Sequence, residues 1–297
     1  MFSGMSAFPL TPMNEEEIDE GASIRLVQRL VQAEVDSIGV LGSTGNYAYL
    51  PIEQRMHVAQ LAIENAKDVP VIIGVSALRT KDVLALVEHA ESHGASAVLL
   101  ASMSYQKLSA EEVYQLYSTV SQASSLPIVV YDNPATTHFE FSDELYIRLS
   151  QLENVCSIKI PGVPLDAVAA KARVDHIRSI VPSNVSIGVS GDGFAASGLN
   201  AGCDVWYSVI GGLYPKAALA ITRAAQSGDA QKALHLSERL QPLWDQYGKN
   251  NGSLRVIASA AEIENLADTP SLPLPLRTLE GENRQQLAKF LSENPLN

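Results

Sequence analysis

The chain has little of several things that would otherwise direct its reading. Only two cysteines occur in 297 residues, Cys156 and Cys203, and both lie in apolar, strand-like runs. That excludes a disulfide framework and points to buried thiols in a reducing compartment. Positive charge is short: 21 Lys and Arg stand against 33 Asp and Glu, a net charge of −12. Such a balance argues against a nucleic-acid or anionic-membrane partner, while leaving room for a locally cationic pocket. No apolar run reaches the length of a membrane span, and Met1 to Thr11 lacks a basic leader region, with Glu15, Glu16 and Glu17 close behind. These features predict a soluble cytoplasmic protein. The six histidines form no metal-ligand pattern. His89 and His93 are four apart, but Ala90-Glu91-Ser92 between them is not a metalloprotease sequence, and a solvated helix face is the expectation. No metal is expected, and no internal repeat or low-complexity tract is evident.

What the chain does have is alternation. Short apolar runs at 4–9, 37–42, 70–75, 97–101, 127–132, 155–160, 186–190 and 204–209 read as strands. Between and after them, amphipathic segments near 17–33, 52–66, 80–93, 109–124, 142–151, 164–180, 193–201 and 214–227 read as helices. Pro51 opens one helix, Thr80 precedes another, and Ser109 followed by Glu111 and Glu112 starts a third. Gly94 and Gly202 follow two helices where a left-handed cap is expected. Eight strand–helix units fit a parallel (β/α)8 barrel better than an open doubly wound sheet. The expectation is an α/β catalytic barrel over 1–228. A helical appendage packed on it over 229–297 would include helices at 230–247, 252–265 and 282–293.

Lys159 is the most informative residue. It lies within Val155-Cys156-Ser157-Ile158-Lys159-Ile160, a run that otherwise reads as a buried strand. Removing an ammonium from water is costly unless the amine is paired or used neutral. A buried amine with a lowered pKa can attack a carbonyl to form a Schiff base. On the strand pattern alone, a Lys that snorkels to water or pairs with a carboxylate is the commoner outcome.

In a (β/α)8 barrel the active site gathers at the C-terminal strand ends. Those ends carry Gly42-Ser43-Thr44-Gly45, Ser104-Tyr105, Tyr131-Asp132-Asn133-Pro134, Lys159, Gly191-Asp192-Gly193 and Ser208. An amine, phenols, hydroxyls and a carboxylate at one rim suit carbonyl chemistry. Each also has an ordinary explanation. The Gly42 loop matches neither a dinucleotide nor a Walker fingerprint and alone is a tight turn. Tyr131 alone is a packed aromatic, Tyr105 a surface aromatic, and Asp192 a turn residue.

Together these residues resemble the dihydrodipicolinate synthase / N-acetylneuraminate lyase family of class I aldolases. The likeness runs from Ala7-Phe8-Pro9-Leu10-Thr11-Pro12 through the landmarks above to Gly191-Asp192, Ser197-Gly198-Leu199 and Ala201-Gly202. The resemblance implies Lys159 as the Schiff-base lysine and Tyr131 as the tyrosine that transfers protons. It implies Ser43 and Thr44 as the pair holding a 2-oxo acid carboxylate, with Ser43 also a relay hydroxyl. Tyr105 matches a tyrosine donated across a dimer interface into the neighbouring site, where it joins Ser43 as a proton relay for Tyr131. Asp192 matches an acidic residue that binds substrate hydroxyls in the sugar-acid lyases. The family implies a homotetramer, a dimer of dimers, and no cofactor beyond the covalent imine.

The departures bear on substrate. Dihydrodipicolinate synthases carry an Arg two residues beyond the Pro that follows Tyr131; here that position is Thr136. A neutral Thr lacks the bidentate charge-assisted pair that an Arg gives a carboxylate. The usual Gly nearby is His138, the usual acidic residue closing the Gly42 loop is Asn46, and Gly193 stands where sialic acid lyases have Glu. Thr136, His138 and Ser208 join Asp192 as candidate substrate contacts. The resulting expectation is a Schiff-base lyase, aldolase or dehydratase, acting on pyruvate or a longer 2-oxo (sugar) acid. The alternatives are 4-hydroxy-tetrahydrodipicolinate synthase itself and a non-catalytic barrel that binds a 2-oxo acid. A phosphate-binding barrel enzyme, with Gly211-Gly212 as a weak loop, is a further rival.

Overall fold

β-Branched residues are concentrated in several of the strand runs, and two of these, Val71-Ile72-Ile73 and Ile128-Val129-Val130, are preceded by Pro70 and Pro127, a favoured residue at a strand start. A computed structural model describes residues 2–296. Its strands are β1 (Gly4–Ala7), β2 (Ser37–Val40), β3 (Val71–Gly74), β4 (Ala97–Ala101), β5 (Ile128–Tyr131), β6 (Val155–Ile160), β7 (Ser186–Val189) and β8 (Val205–Ser208). They pair in sequence order, all parallel, and β1 closes on β8 with Gly4 opposite Val205 and Ala7 opposite Ser208. The expected (β/α)8 barrel is therefore present, with additional helices at its C-terminus.

The surrounding helices are α1 (Glu20–Gln32), α2 (Ile52–Asn65), α3 (Thr80–Ser92), α4 (Ala110–Ala123), α5 (Asp143–Ser150), α6 (Ala167–Ile180), α7 (Ala195–Asn200) and α8 (Pro215–Gln226). After them come α9 (Ala230–Glu238), α10 (Gln241–Lys249), α11 (Leu254–Ile263) and α12 (Gly281–Glu293). Side-chain caps set several of the starts. Asp19, Ser142, Asp166 and Asp229 each accept a backbone N–H from the first turn, and Ser109 with Glu112 forms a full capping box. The Asp19 cap explains why α1 begins at Glu20 rather than at 17. Gly94 and Gly202 adopt the left-handed backbone that a helix C-cap requires.

Three further boundaries differ from expectation for identifiable reasons. β1 ends at Ala7 rather than residue 9, because Pro9 has no N–H to continue the ladder; Phe8 still donates to the Ser208 carbonyl at 2.8 Å. The segment 230–247 is two helices, not one, and Pro242 stands in the first turn of the second, where its missing N–H costs nothing. The helix expected over 193–201 is shortened to α7 by a helical turn at Asp192–Phe194.

Two apolar layers result. The larger lies between the strands and their helices. The smaller fills the barrel interior and consists of Phe8, Ile72, Ala97, Leu99, Ala101, Val129, Tyr131, Val205 and Tyr207. Side chains two apart on a strand share a face, so Ser157 and Lys159 follow the interior row of β6. Among the described residues, no helix is long and apolar enough to cross a membrane.

Candidate active site

Register brings the chemistry together. Tyr131 on β5 lies opposite Lys159 on β6, and Lys159 lies opposite Gly188 on β7. The backbone then locks this end of the sheet, as Asp132 N–H donates to the Lys159 carbonyl at 3.0 Å. Lys159 is only 4% exposed. Its Nζ lies 4.1 Å from the centroid of the Phe8 ring, 4.2 Å from that of Tyr131 and 5.5 Å from that of Tyr207. Burial in this aromatic surround pushes the amine down to about 7, against the pull of the Asp192 carboxylate, which acts the other way. The outcome is an amine substantially neutral near neutral pH.

Two aromatic rings of this surround were not singled out by the sequence. Phe8 and Tyr207 meet edge to face at 5.9 Å, and the Tyr207 hydroxyl is 2.7 Å from Ser157 Oγ. Glycines make room for both. A Cβ at Gly39 would lie 2.3 Å from Phe8 Cζ, and one at Gly188 would lie 2.2 Å from Tyr207 Cε2. Glycine inside a strand is unfavourable in itself and often marks a close approach, which is the signal that could have revealed these rings. Gly188→Ala is therefore expected to displace Tyr207 and cost about 1–3 kcal/mol by overpacking. Thermal melting together with near-UV circular dichroism checks this, and an unchanged melt with an unchanged aromatic signal would refute it.

Tyr131 is 6% exposed, and its hydroxyl has two neighbours: Ser43 Oγ at 3.2 Å and Asn133 Nδ2, which donates to it at 2.8 Å. Burial raises the phenol above its ordinary value, while the two hydrogen bonds oppose that rise. Ser43 and Thr44 sit on the helical turn Ser43–Gly45 that follows β2, closed by Asn46 in the left-handed conformation. Asn46 Nδ2 donates to the Thr11 carbonyl at 2.9 Å, tying this turn to the loop after β1. Thr44 is buried immediately beside Ser43.

The remaining candidates are placed differently. Thr136 and His138 are exposed on and just after the short helical turn Pro134–Thr137. Tyr105 is 90% exposed within this chain. Asp192 is buried, but its carboxylate is turned into the β7–β8 corner. Oδ1 accepts from Trp206 Nε1 (3.1 Å), Ser208 Oγ (3.4 Å) and Val209 N (3.0 Å), and Oδ2 accepts from Ile210 N at 2.7 Å. The Tyr247 phenol of α10 faces the same carboxylate. Ser208 in turn accepts from Gly211 N–H at 2.9 Å. Asp132, next to the proposed proton-transfer tyrosine, points outward to the Tyr146 hydroxyl of α5, and burial raises its carboxyl to about 6. Cys156 and Cys203 are both free. Among the described residues, no group of three or more His, Cys, Asp or Glu is arranged to hold a metal.

Comparison with known proteins agrees with this architecture. The model of the dihydrodipicolinate synthetase family matches residues 1–294. A 4-hydroxy-tetrahydrodipicolinate synthase from Phenylobacterium zucineum is 33% identical over 245 residues, covering 81% of this chain and 80% of that protein. The crystal structure of a dihydrodipicolinate synthase from Agrobacterium tumefaciens superposes with a TM-score of 0.93 at 42% identity, over 98% of this chain and 97% of the other. A chloride-inhibited dihydrodipicolinate synthase from Acinetobacter baumannii, solved with pyruvate, gives 0.89 at 26% identity and covers all of both chains. A class I aldolase-type barrel whose sequence is matched almost end to end in this way belongs to the dihydrodipicolinate synthetase family.

Proposed function

We propose that this enzyme is a lyase that forms a Schiff base between Lys159 and C2 of pyruvate or a longer 2-oxo acid, with no metal or organic cofactor. The observation that carries the reading is the buried Lys159 amine, held by aromatic rings and lowered to about 7, directly across the ladder from Tyr131. The neutral amine attacks the ketone and gives a carbinolamine. Tyr131 donates its proton to the carbinolamine hydroxyl, which leaves as water while the nitrogen lone pair closes the C=N bond. The resulting phenolate then removes a proton from C3 to give the enamine. Ser43 relays protons to Tyr131, and Ser43 and Thr44 with their backbone amides hold the carboxylate.

The second half of the substrate is read from what stands around this centre. Thr136 offers a neutral hydroxyl where an Arg would be needed to fix a second carboxylate, and that favours cleavage or dehydration of a 2-oxo sugar acid over condensation with aspartate semialdehyde. His138 stands at the same turn. The exposure of Tyr105 supports its reading as a residue donated to a neighbouring subunit within a homotetramer, since a solitary chain leaves it in water.

Borohydride trapping with pyruvate, read by peptide mass spectrometry, tests the reading. A pyruvate-sized adduct on the Lys159 peptide is expected. The neutral fraction of an amine near 7 is small at pH 5 and nearly complete at pH 9. Trapping at low pyruvate should therefore accelerate as pH rises through about 7 and level off above it, instead of climbing toward pH 10. No adduct from folded protein, with pyruvate or with longer 2-oxo acids, would overturn the assignment.

A further inference from the structure

Tyr131 does not end β5 alone. The chain continues extended past it, so Asp132 turns outward and Asn133, two positions on, returns to the face of Tyr131. Each direction is anchored. Outside, the Tyr146 hydroxyl donates to the Asp132 carboxylate. At the turn, the Asn133 carbonyl accepts from Thr136 N and Thr137 N, each at 3.0 Å, and from Thr137 Oγ1 at 3.0 Å. With its backbone held, Asn133 brings Nδ2 to 2.8 Å from the Tyr131 hydroxyl, whose other neighbour is Ser43 Oγ at 3.2 Å.

We infer that Asn133 is a positioning residue for the proposed proton transfer: its amide turns the Tyr131 proton away from Asn133, leaving it for Ser43 or the substrate, and stabilises the phenolate once the proton has left. The inference rests on the Schiff-base reading above. An amide NH2 only donates, so one acceptor position of the phenol is permanently taken. Two arrangements remain for the other contact. Either Tyr131 donates to Ser43, or Ser43 donates to Tyr131 while the phenol proton goes to the substrate. When Tyr131 gives its proton to the departing hydroxyl, the oxygen it leaves behind keeps two donors, Asn133 Nδ2 and Ser43 Oγ. Fixed donors aimed at developing negative charge in a dry site act on the transition state more than on the resting enzyme. Asn133 thereby affects rate more than pyruvate affinity. An Asp here would keep the shape and reverse the effect, placing an anion beside a forming phenolate.

The test is exchange of the pyruvate C3 protons with solvent deuterium, followed by NMR on the full-length enzyme, after borohydride trapping has established the imine in wild type. Asn133→Leu should slow exchange by roughly tenfold or more and move the basic limb of its pH profile upward by about one unit. Half-saturation by pyruvate should change by less than about twofold. Asn133→Asp should slow exchange at least as much as Leu despite its near-identical size, and it carries the test should the Leu variant not fold. Asp retaining the wild-type rate would show that only shape matters at this position and would overturn the inference. So would variants that trap pyruvate and exchange its protons with wild-type rates and pH profile. Failure of wild type to trap any 2-oxo acid would instead overturn the Schiff-base reading and this inference with it.

Discussion

Lys159→Met is expected to abolish imine formation and, at pH 7, to make the protein more stable than wild type. The loss of activity follows from removing the proposed nucleophile, and a drop of at least roughly 10^4-fold is expected where one group supplies the covalent step. The gain in stability follows from the same burial that activates the amine. Its pKa falls from 10.5 in the ordinary range to about 7 in the folded chain. At about 1.4 kcal/mol per unit, this is an unfavourable contribution of up to about 4 kcal/mol at pH 7. Contacts between the ammonium and the Phe8, Tyr131 and Tyr207 rings offset part of that cost, and a Met must repack among the same rings. A net gain of about 1–3 kcal/mol is expected. Between pH 7 and 10.5 the unfolded chain holds a proton on this amine that the folded chain does not, so wild type gains stability as pH rises through that window. The advantage of Lys159→Met should therefore shrink from pH 7 toward pH 10. Urea titrations of both proteins at several pH values measure this. A variant less stable than wild type at pH 7, with no change in the pH slope, would sink the account.

Asp192→Ala should do the opposite and destabilise the enzyme severely. The carboxylate accepts from Trp206, Ser208, Val209 and Ile210, so its removal leaves an indole N–H and two backbone N–H groups without partners in a buried corner. Each orphaned donor costs roughly 1–3 kcal/mol, and a total near 3–5 kcal/mol is expected after relaxation. For a chain of this size that is on the order of 10 °C in melting temperature. Asp192→Asn should lose less, since one oxygen remains to accept while an amide N–H2 now faces backbone donors. The comparison also bears on the role that family resemblance gives this residue. A carboxylate engaged by four donors within its own chain is expected to show its effect in the melt. If Asp192→Asn melted like wild type yet lost discrimination among 2-oxo sugar acids, a substrate-binding role would be the better description.

The barrel was readable because its strands are short and buried on both faces, so each appears as an unbroken apolar run. Lys159 stood out for the same reason, as an amine inside such a run. Helix ends set by side-chain caps, such as Ser109 with Glu112, were also legible, because the cap and its partner lie within four residues. The aromatic surround of the amine was not. Phe8 and Tyr207 meet only because β1 closes on β8, a pairing between the two ends of the barrel that no local pattern reports. Nor did the sequence tell that Asp192 would be engaged by β8 and the loop after it. The type of residue and its place at a strand end are visible in sequence, but the direction of a carboxylate depends on donors from elsewhere. Asn133 lies between these cases: its spacing from Tyr131 places it on the same face, but the hydrogen bond becomes evident only once the Pro134–Thr137 turn is seen to hold its backbone.

Helix α10 approaches the β7–β8 corner from the chain's C-terminal part. Trp244 packs over Gly193, where a Cβ would lie 3.6 Å from the indole, and the Tyr247 phenol faces Asp192. The β7–β8 corner is thus closed by residues that are synthesised some forty positions after the last strand. During translation, the eight strands can emerge and pair while this corner still faces water. The ribosome must release nearly the whole polypeptide before this corner is covered, so a nascent chain stalled after β8 would carry an assembled barrel with the Asp192 corner still open.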